Sequence, residues 1–292
     1  MTLGISAFLI WGLFPLYWPL LKPANSIEIV AHRAVWSLIF CIAALGLTNQ
    51  LRRTLLMLKN PHTMMRLCLS TVLISVNWLV YIWGVNHGHV VECALGYYIN
   101  PLIIIAFGVL LLKEKMRKLQ WIAVWIAVIG VLILTIGFGR PPWIALALAV
   151  SWGSYGLVKK QLRIGALEGL AIETLLSFIP YAGYIIWLGS RGAGQFAVNI
   201  KVTILLVLAG VVTAIPLLMF NSATNKLPLT IVGLLQYLTP TAQFLIGVLV
   251  RHESMPVARW VGFLVIWIAL IALATDLVKS GSTSNNRVAQ AD

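Results

Sequence analysis

The chain has 292 residues, 60% hydrophobic and only 10% charged, with a formal charge of +13. Soluble domains run about 45–50% apolar and about 25% charged, so this composition excludes an ordinary soluble enzyme or binding module. The basic excess does not mark a nucleic-acid binder either, because Lys and Arg sit in short clusters between apolar runs and not on one exposed face.

Taken in chain order, the apolar runs long enough to span a bilayer fall at 3–21, 28–48, 67–86, 91–112, 119–137, 142–160, 168–188, 202–223, 228–250 and 258–277. The first has no Lys or Arg between Met1 and Ile10 and no small-x-small site behind it, so it reads as a span and not as a signal peptide. Asn25 is expected to cap the second span, with Glu28 closing a capping box. The longest connection, 49–66, holds Arg52, Arg53, Lys59 and Arg66, and the polar stretch 280–292 is expected to be a disordered tail. Cys41, Cys68 and Cys93 show no CxxC spacing, so neither a disulfide framework nor a metal site is expected. Alternate loops carry fourteen and seven Lys and Arg residues; the positive-inside bias places both termini in the cytoplasm.

The chain repeats itself. Trp11-Gly12-Leu13-Phe14 answers Trp152-Gly153-Ser154-Tyr155, and Leu95-Gly96-Tyr97-Tyr98-Ile99-Asn100-Pro101 answers Leu234-Leu235-Gln236-Tyr237-Leu238-Thr239-Pro240. Gly108, Glu114 and Trp121 answer Gly247, Glu253 and Trp260. The fold expected is therefore all-α and membrane-embedded: ten transmembrane helices in two inverted five-helix repeats, 1–140 and 141–279. Five spans is an odd number, so the second half inserts upside down. Inverted repeats around a midplane site are a signature of secondary transporters, a step that is partly fold analogy.

Ionisable groups at depth are few, and such groups mark cavities or pairs. His32, Arg33 and Glu173 are the gating or coupling candidates, since His32 maps onto Glu173 across the repeat. The bland alternative is that His32 and Arg33 snorkel to the interface and Glu173 pairs locally. The substrate-binding candidates are Asn77, Trp78, Tyr81, Trp83, Asn86, Tyr97, Tyr98 and Asn100, with Trp152, Tyr155, Gln236 and Tyr237 from the second half. They supply the aromatic walls and few polar groups that a ligand pocket wants. Trp18, Trp121, Trp125, Trp143, Trp187 and Trp260 lie near span ends and read as an interfacial belt. Pro15, Pro101, Pro180, Pro216 and Pro240 fall within apolar runs; the mates Pro101 and Pro240 read as hinges or as packing kinks. Lys159 and Lys160 set orientation, with attraction of an anion the lesser reading, while Glu114 and Glu253 are expected to pair with basic neighbours. Gly108 and Gly247 allow close helix packing, within one chain or between two copies, which leaves a homodimer open.

The residues His32-Arg33-x-x-Trp36-Ser37, Asn77-Trp78-Leu79 with Ile82-Trp83 and Val85-Asn86, the Leu95–Leu102 stretch, Glu114 with Gln120-Trp121, Tyr155-Gly156-Leu157-Val158, Ile172-Glu173-Thr174, Pro216-Leu217-Leu218 and Gln236-Tyr237 together resemble the RarD subfamily of the EamA branch of the drug/metabolite transporter superfamily. The resemblance implies an inner-membrane permease of bacteria with cytoplasmic termini. Members are often labelled chloramphenicol-sensitive or chloramphenicol-resistance permeases, which names a phenotype and not a substrate. The superfamily includes exporters of amino acids, other metabolites and drugs. The expected function is secondary transport of such a small molecule by alternating access, with proton coupling or exchange. A channel or a structural subunit of a larger complex is the alternative. No Walker A, HExxH or GxSxG sequence occurs, so neither a cofactor nor an enzymatic activity is expected. The expected partners are a small-molecule substrate and the lipid bilayer.

Overall fold

The computed structural model describes residues 2–112, 118–162, 164–224 and 235–288. The helices are α1 (Thr2–Gly12), α2 (Phe14–Tyr17) running into a 3-10 turn (Trp18–Leu21), α3 (Ser26–Leu47), α4 (Leu51–Met57), α5 (Pro61–Asn86), α6 (Val90–Leu112), α7 (Lys118–Phe138), α8 (Trp143–Leu162), α9 (Ala166–Ser190), α10 (Ile200–Thr224), α11 (Leu238–Leu245) running into a π-helical turn (Ile246–Val250), and α12 (Val257–Val288). Among the described residues, seven of these segments are long and apolar enough to cross a membrane, and α6, α8 and the run Leu238–Val250 fill the fourth, sixth and ninth places of the expected ten. Large apolar side chains such as Trp125, Ile136, Ile179 and Ile268 face outward, as lipid solvent requires.

Local chemistry sets several boundaries. The Asn60 side chain accepts from the His62 and Thr63 N–H groups, and with Pro61 in the first turn it starts α5 six residues before the apolar run. Gly88, at φ 75, ends that helix with a His89 N–H to Gly84 O bond of 2.8 Å, a left-handed stop that a residue with a Cβ resists. The Asn25 oxygen accepts from the Glu28 N–H at 2.8 Å, as expected of a cap. The Glu28 carboxylate does not close a capping box, however; it accepts from the Gln195 N–H at 2.6 Å, in the connection between α9 and α10. A distant unpaired backbone donor outcompetes the local one. The first span is broken after Gly12, with Pro15 and Pro19 in the first turns of the short segments that follow. The last helix continues through Val288, into the segment expected to be disordered, because an existing helix gains a hydrogen bond for each residue it adds.

Helix packing follows the repeat. The main partners are α7 with α12, α6 with α8, α1 with α11, α6 with α11, α3 with α9, α3 with α10, α5 with α8 and α1 with α10. Exchanging the two halves maps this set onto itself apart from α3 with α10, whose mate, α5 with α9, is also in contact. The Trp-Gly motifs show the reason at one point. A Cβ on Gly12 would lie 2.6 Å from Ala242 Cβ of α11, and one on Gly153 would lie 2.8 Å from Ile103 of α6. Each glycine lets its helix approach the corresponding helix of the other half.

Glu253 forms no ion pair with its basic neighbours among the described residues; its repeat mate Glu114 lies outside them. Its carboxylate accepts from the Val90 and Val91 N–H groups at 2.5 and 3.0 Å, capping α6 from the connection before α12. Burial pushes this carboxyl above its ordinary value, against the pull of Val91, Val90, Arg259 and Arg251. Glu253→Ala leaves two helix-terminal donors without their acceptor, and is expected to cost about 1–2 kcal/mol; a lowered thermal midpoint of the purified protein checks it. Gly247 packs on Val91 of α6 within the chain.

Candidate functional site

A cavity of about 110 Å³ lies where α1, α3, α5, α6 and α8–α11 converge. Holding one water takes about 10–15 Å³, so it has room for several water-sized groups. Each half contributes nine lining residues: Phe8, Trp11, Phe14, Arg33, Ile74, Asn77, Trp78, Tyr81 and Tyr97 from the first, and Trp152, Tyr155, Leu170, Thr213, Leu217, Gln236, Thr239, Pro240 and Gln243 from the second. Neither α7 nor α12 lines it; they pair with each other instead. Trp11 and Trp152, Phe14 and Tyr155, and Tyr97 and Gln236 are repeat mates that all line it.

The walls are fixed by polar links between helices. The Asn77 amide of α5 donates to Leu148 O at 3.2 Å and Ser151 Oγ at 3.0 Å on α8, and accepts from the Tyr97 hydroxyl at 3.4 Å. Arg33 is 4% exposed. Its Nε donates to Thr213 Oγ1 at 2.7 Å, and the guanidinium lies 4.0 Å from the Trp78 ring centroid and 5.1 Å from that of Trp18. Trp18 is therefore not part of an interfacial belt; it is fully buried under Arg33, whereas Trp121, Trp125, Trp143, Trp187 and Trp260 are 38–61% exposed.

Glu173 gathers a second group. Only 2% exposed, it accepts from Ser70 Oγ of α5 at 2.7 Å, the Tyr155 hydroxyl of α8 at 3.1 Å and Lys159 Nζ of α8 at 3.1 Å. Gly169, one turn before Glu173 on α9, leaves the space that the Lys159 ammonium occupies. Tyr155 belongs to both the cavity wall and this group, so the two are mechanically joined.

Five of the twelve expected binding residues lie elsewhere. Trp83 stacks on His87 at 4.4 Å and touches Trp143, at the end of α5. Asn86 closes that helix and is not among the lining residues. Tyr98 bonds Thr241 at 2.9 Å and packs on Phe263 and Trp267. Tyr237 packs in that same cluster with α12. Asn100 is fully buried against Gly153. Among the gating candidates, Arg33 reaches the cavity, Glu173 reaches it through Tyr155, and His32 does not. His32 stacks on Phe196 at 4.8 Å, because neighbouring residues point about 100° apart around a helix. Pro240 stands in the first turn of α11, where a missing N–H interrupts nothing; α6 runs on through position 101. The residues before 235 in the ninth span lie outside the described ones.

The EamA-like transporter family matches the chain twice, at residues 1–136 and 141–275. The chain is 48% identical to the Protein RarD of Streptomyces exfoliatus over 98% of its own length and 91% of the relative's. It is 42% identical to the uncharacterized transporter YojE of Bacillus subtilis, with 94% and 92% covered. It is 29% identical to the chloramphenicol-sensitive protein RarD of Pseudomonas aeruginosa, with 94% and 93% covered. A solved crystal structure superposes with a TM-score of 0.63 at 18% identity, over 95% of this chain and 98% of the other, which shows a shared fold. With two family matches in tandem and full-length likeness to these transporters, the chain belongs to the EamA-like transporter family, in its RarD subfamily, and is a multi-pass membrane transporter.

Proposed function

We propose that the protein is a secondary-active exporter of a small metabolite, amino acid or drug, working by alternating access with proton coupling or exchange. The observation that carries this reading is the cavity itself, to which both halves contribute equally and through repeat mates. Rocking one repeat, 1–140, against the other, 141–279, opens such a site to alternate sides. Glu173, paired with Lys159, and Arg33 each lie about two turns from the start of their helices, which enter from opposite faces in the inverted repeat, and they serve as the two closures. The bacterial inner membrane, with both termini cytoplasmic, is the setting that the Lys and Arg bias supports.

The test is counterflow into proteoliposomes of the purified protein. The labelled pool holds amino acids, related metabolites and chloramphenicol, the last because the Pseudomonas aeruginosa relative is called a chloramphenicol-sensitive protein. Saturable, trans-stimulated uptake is expected, accelerated by an imposed pH gradient if protons are coupled. Non-saturable flux indicates a channel, and activity only with a second protein indicates a subunit.

A further inference from the structure

Arg33 is a buried cation in a cavity whose described lining holds no anion. Among the described residues no Asp or Glu lines the cavity, and the carboxylate nearest in the network, Glu173, is held by Lys159, Tyr155 and Ser70. Guanidinium has five N–H donors. Only the Nε donor of Arg33 has a hydrogen-bond partner among the described residues, Thr213. Thr213 and the Trp78 face hold the plane from one edge and one side. The two terminal nitrogens are left as a fork, the geometry that matches the two oxygens of a carboxylate. A charge this deep is costly and ordinarily marks a ligand or ion pathway.

Two further groups extend the match. The Tyr81 hydroxyl and Gln243 Oε1, on lining residues of α5 and α11, are buried and have no partner among the described residues. The first can donate to an anion, and the second can accept from an N–H or O–H on the ligand. Most of the rest of the wall is aromatic or apolar, including Trp11, Trp152 and Leu217, with Asn77, Gln236 and Thr239 as its other polar residues.

We propose that the transported compound is a small organic carboxylate with an aromatic or branched apolar body, whose carboxylate is bound by the terminal nitrogens of Arg33. This rests on the transport reading above for the word transported, but the binding site stands or falls by itself.

The experiment titrates purified full-length protein in detergent with phenylacetate and hexanoate, and with their neutral amides, following tryptophan fluorescence. The wild type is expected to prefer each carboxylate over its amide by about tenfold, the size of one charge-assisted contact. Arg33→Gln is expected to bring the two to near parity, with a thermal midpoint and far-ultraviolet spectrum like the wild type's showing an intact fold. Arg33→Lys, which keeps the charge and loses the fork, is expected to fall between. Equal binding of acid and amide by the wild type, a preference that survives Arg33→Gln, or no carboxylate binding overturns the proposal. The same compounds in the counterflow assay separate the two claims. Carboxylate binding without counterflow by any compound keeps the site and removes the transport reading. Counterflow of amides as fast as carboxylates removes the site and keeps transport.

Discussion

Glu173→Ala is expected to abolish transport and to lower the thermal midpoint of the protein. The carboxylate joins three helices: Ser70 of α5 and Tyr155 and Lys159 of α8 all donate to it from its place on α9. Removing one member of a buried pair leaves the other charge uncompensated, at about 3–5 kcal/mol. The Lys159 side chain is 18% exposed and the Glu173 side chain 2%, so the ammonium can turn partly toward water, and the lower figure applies here. Glu173→Gln separates charge from packing, because a carbonyl oxygen in place of Oε1 still accepts from Ser70 and an amide nitrogen in place of Oε2 can donate to the Tyr155 hydroxyl oxygen. If the pair opens and closes during transport, Glu173→Gln loses less stability than Glu173→Ala and loses acceleration by the pH gradient. The double variant Glu173→Leu with Lys159→Met removes both charges, and it is expected to regain the thermal midpoint without regaining transport. Recovery of both gives the pair a purely structural role, and full activity of Glu173→Ala removes it from the mechanism.

The spans and the tandem match to the family were legible because the lipid solvent writes itself into run length, and an inverted repeat writes itself into register. Which face of each span turns inward was much less legible. A helix apolar all round offers no polar stripe to orient it, so density of Trp, Tyr and Asn in the sequence had to stand for direction. That works for Asn77, Trp78 and Tyr81, which share a face of α5 and line the cavity. It fails for Trp83 and Asn86, which point away from it. The mated pairs Tyr97-Tyr98 and Gln236-Tyr237 show the limit sharply. Only one residue of each adjacent pair faces the cavity here: Tyr97 and Gln236 do, while Tyr98 and Tyr237 pack toward α12. Phe8, Ile74 and Leu170 carry no signal apart from hydrophobicity, whereas Phe14 is the repeat mate of Tyr155 and Leu217 lies in the Pro216-Leu217-Leu218 motif. Thr213 and Gln243 were visible as lone polar residues in apolar runs, and Trp11 as the mate of Trp152.

Gly210→Ala is expected to unfold or severely destabilise the protein through the contact between α3 and α10. A Cβ at position 210 would lie 2.5 Å from the Trp36 carbonyl carbon, 2.6 Å from Trp36 Cβ and 2.7 Å from Ser37 N. Two of these three are backbone atoms, so no rotamer change relieves the clash and the helices must part. Overpacking of this kind costs about 1–3 kcal/mol when the surroundings can yield, and here they are the main chain of α3. The same contact carries a Ser37 Oγ to Gly210 O hydrogen bond at 3.3 Å. Ser37→Ala removes that bond alone, at about 1 kcal/mol or less, and keeps the close approach. Thermal midpoints of the two variants decide which feature matters: a large drop for Gly210→Ala beside a small one for Ser37→Ala assigns it to the approach. One turn along the same contact, Arg33 Nε reaches Thr213 across 2.7 Å. Parting α3 from α10 therefore slackens the support of the guanidinium, and any Gly210→Ala protein that survives purification is expected to discriminate carboxylate from amide less well. The mated contact between α5 and α9 is held by Ser70 and Glu173 instead of a glycine seam. Polar links can be broken and remade at little cost, whereas interlocked backbone cannot. Rocking is then expected to part the α5–α9 link more readily than the α3–α10 contact, so Gly210→Ala reduces stability and turnover together while leaving any acceleration by a pH gradient unchanged.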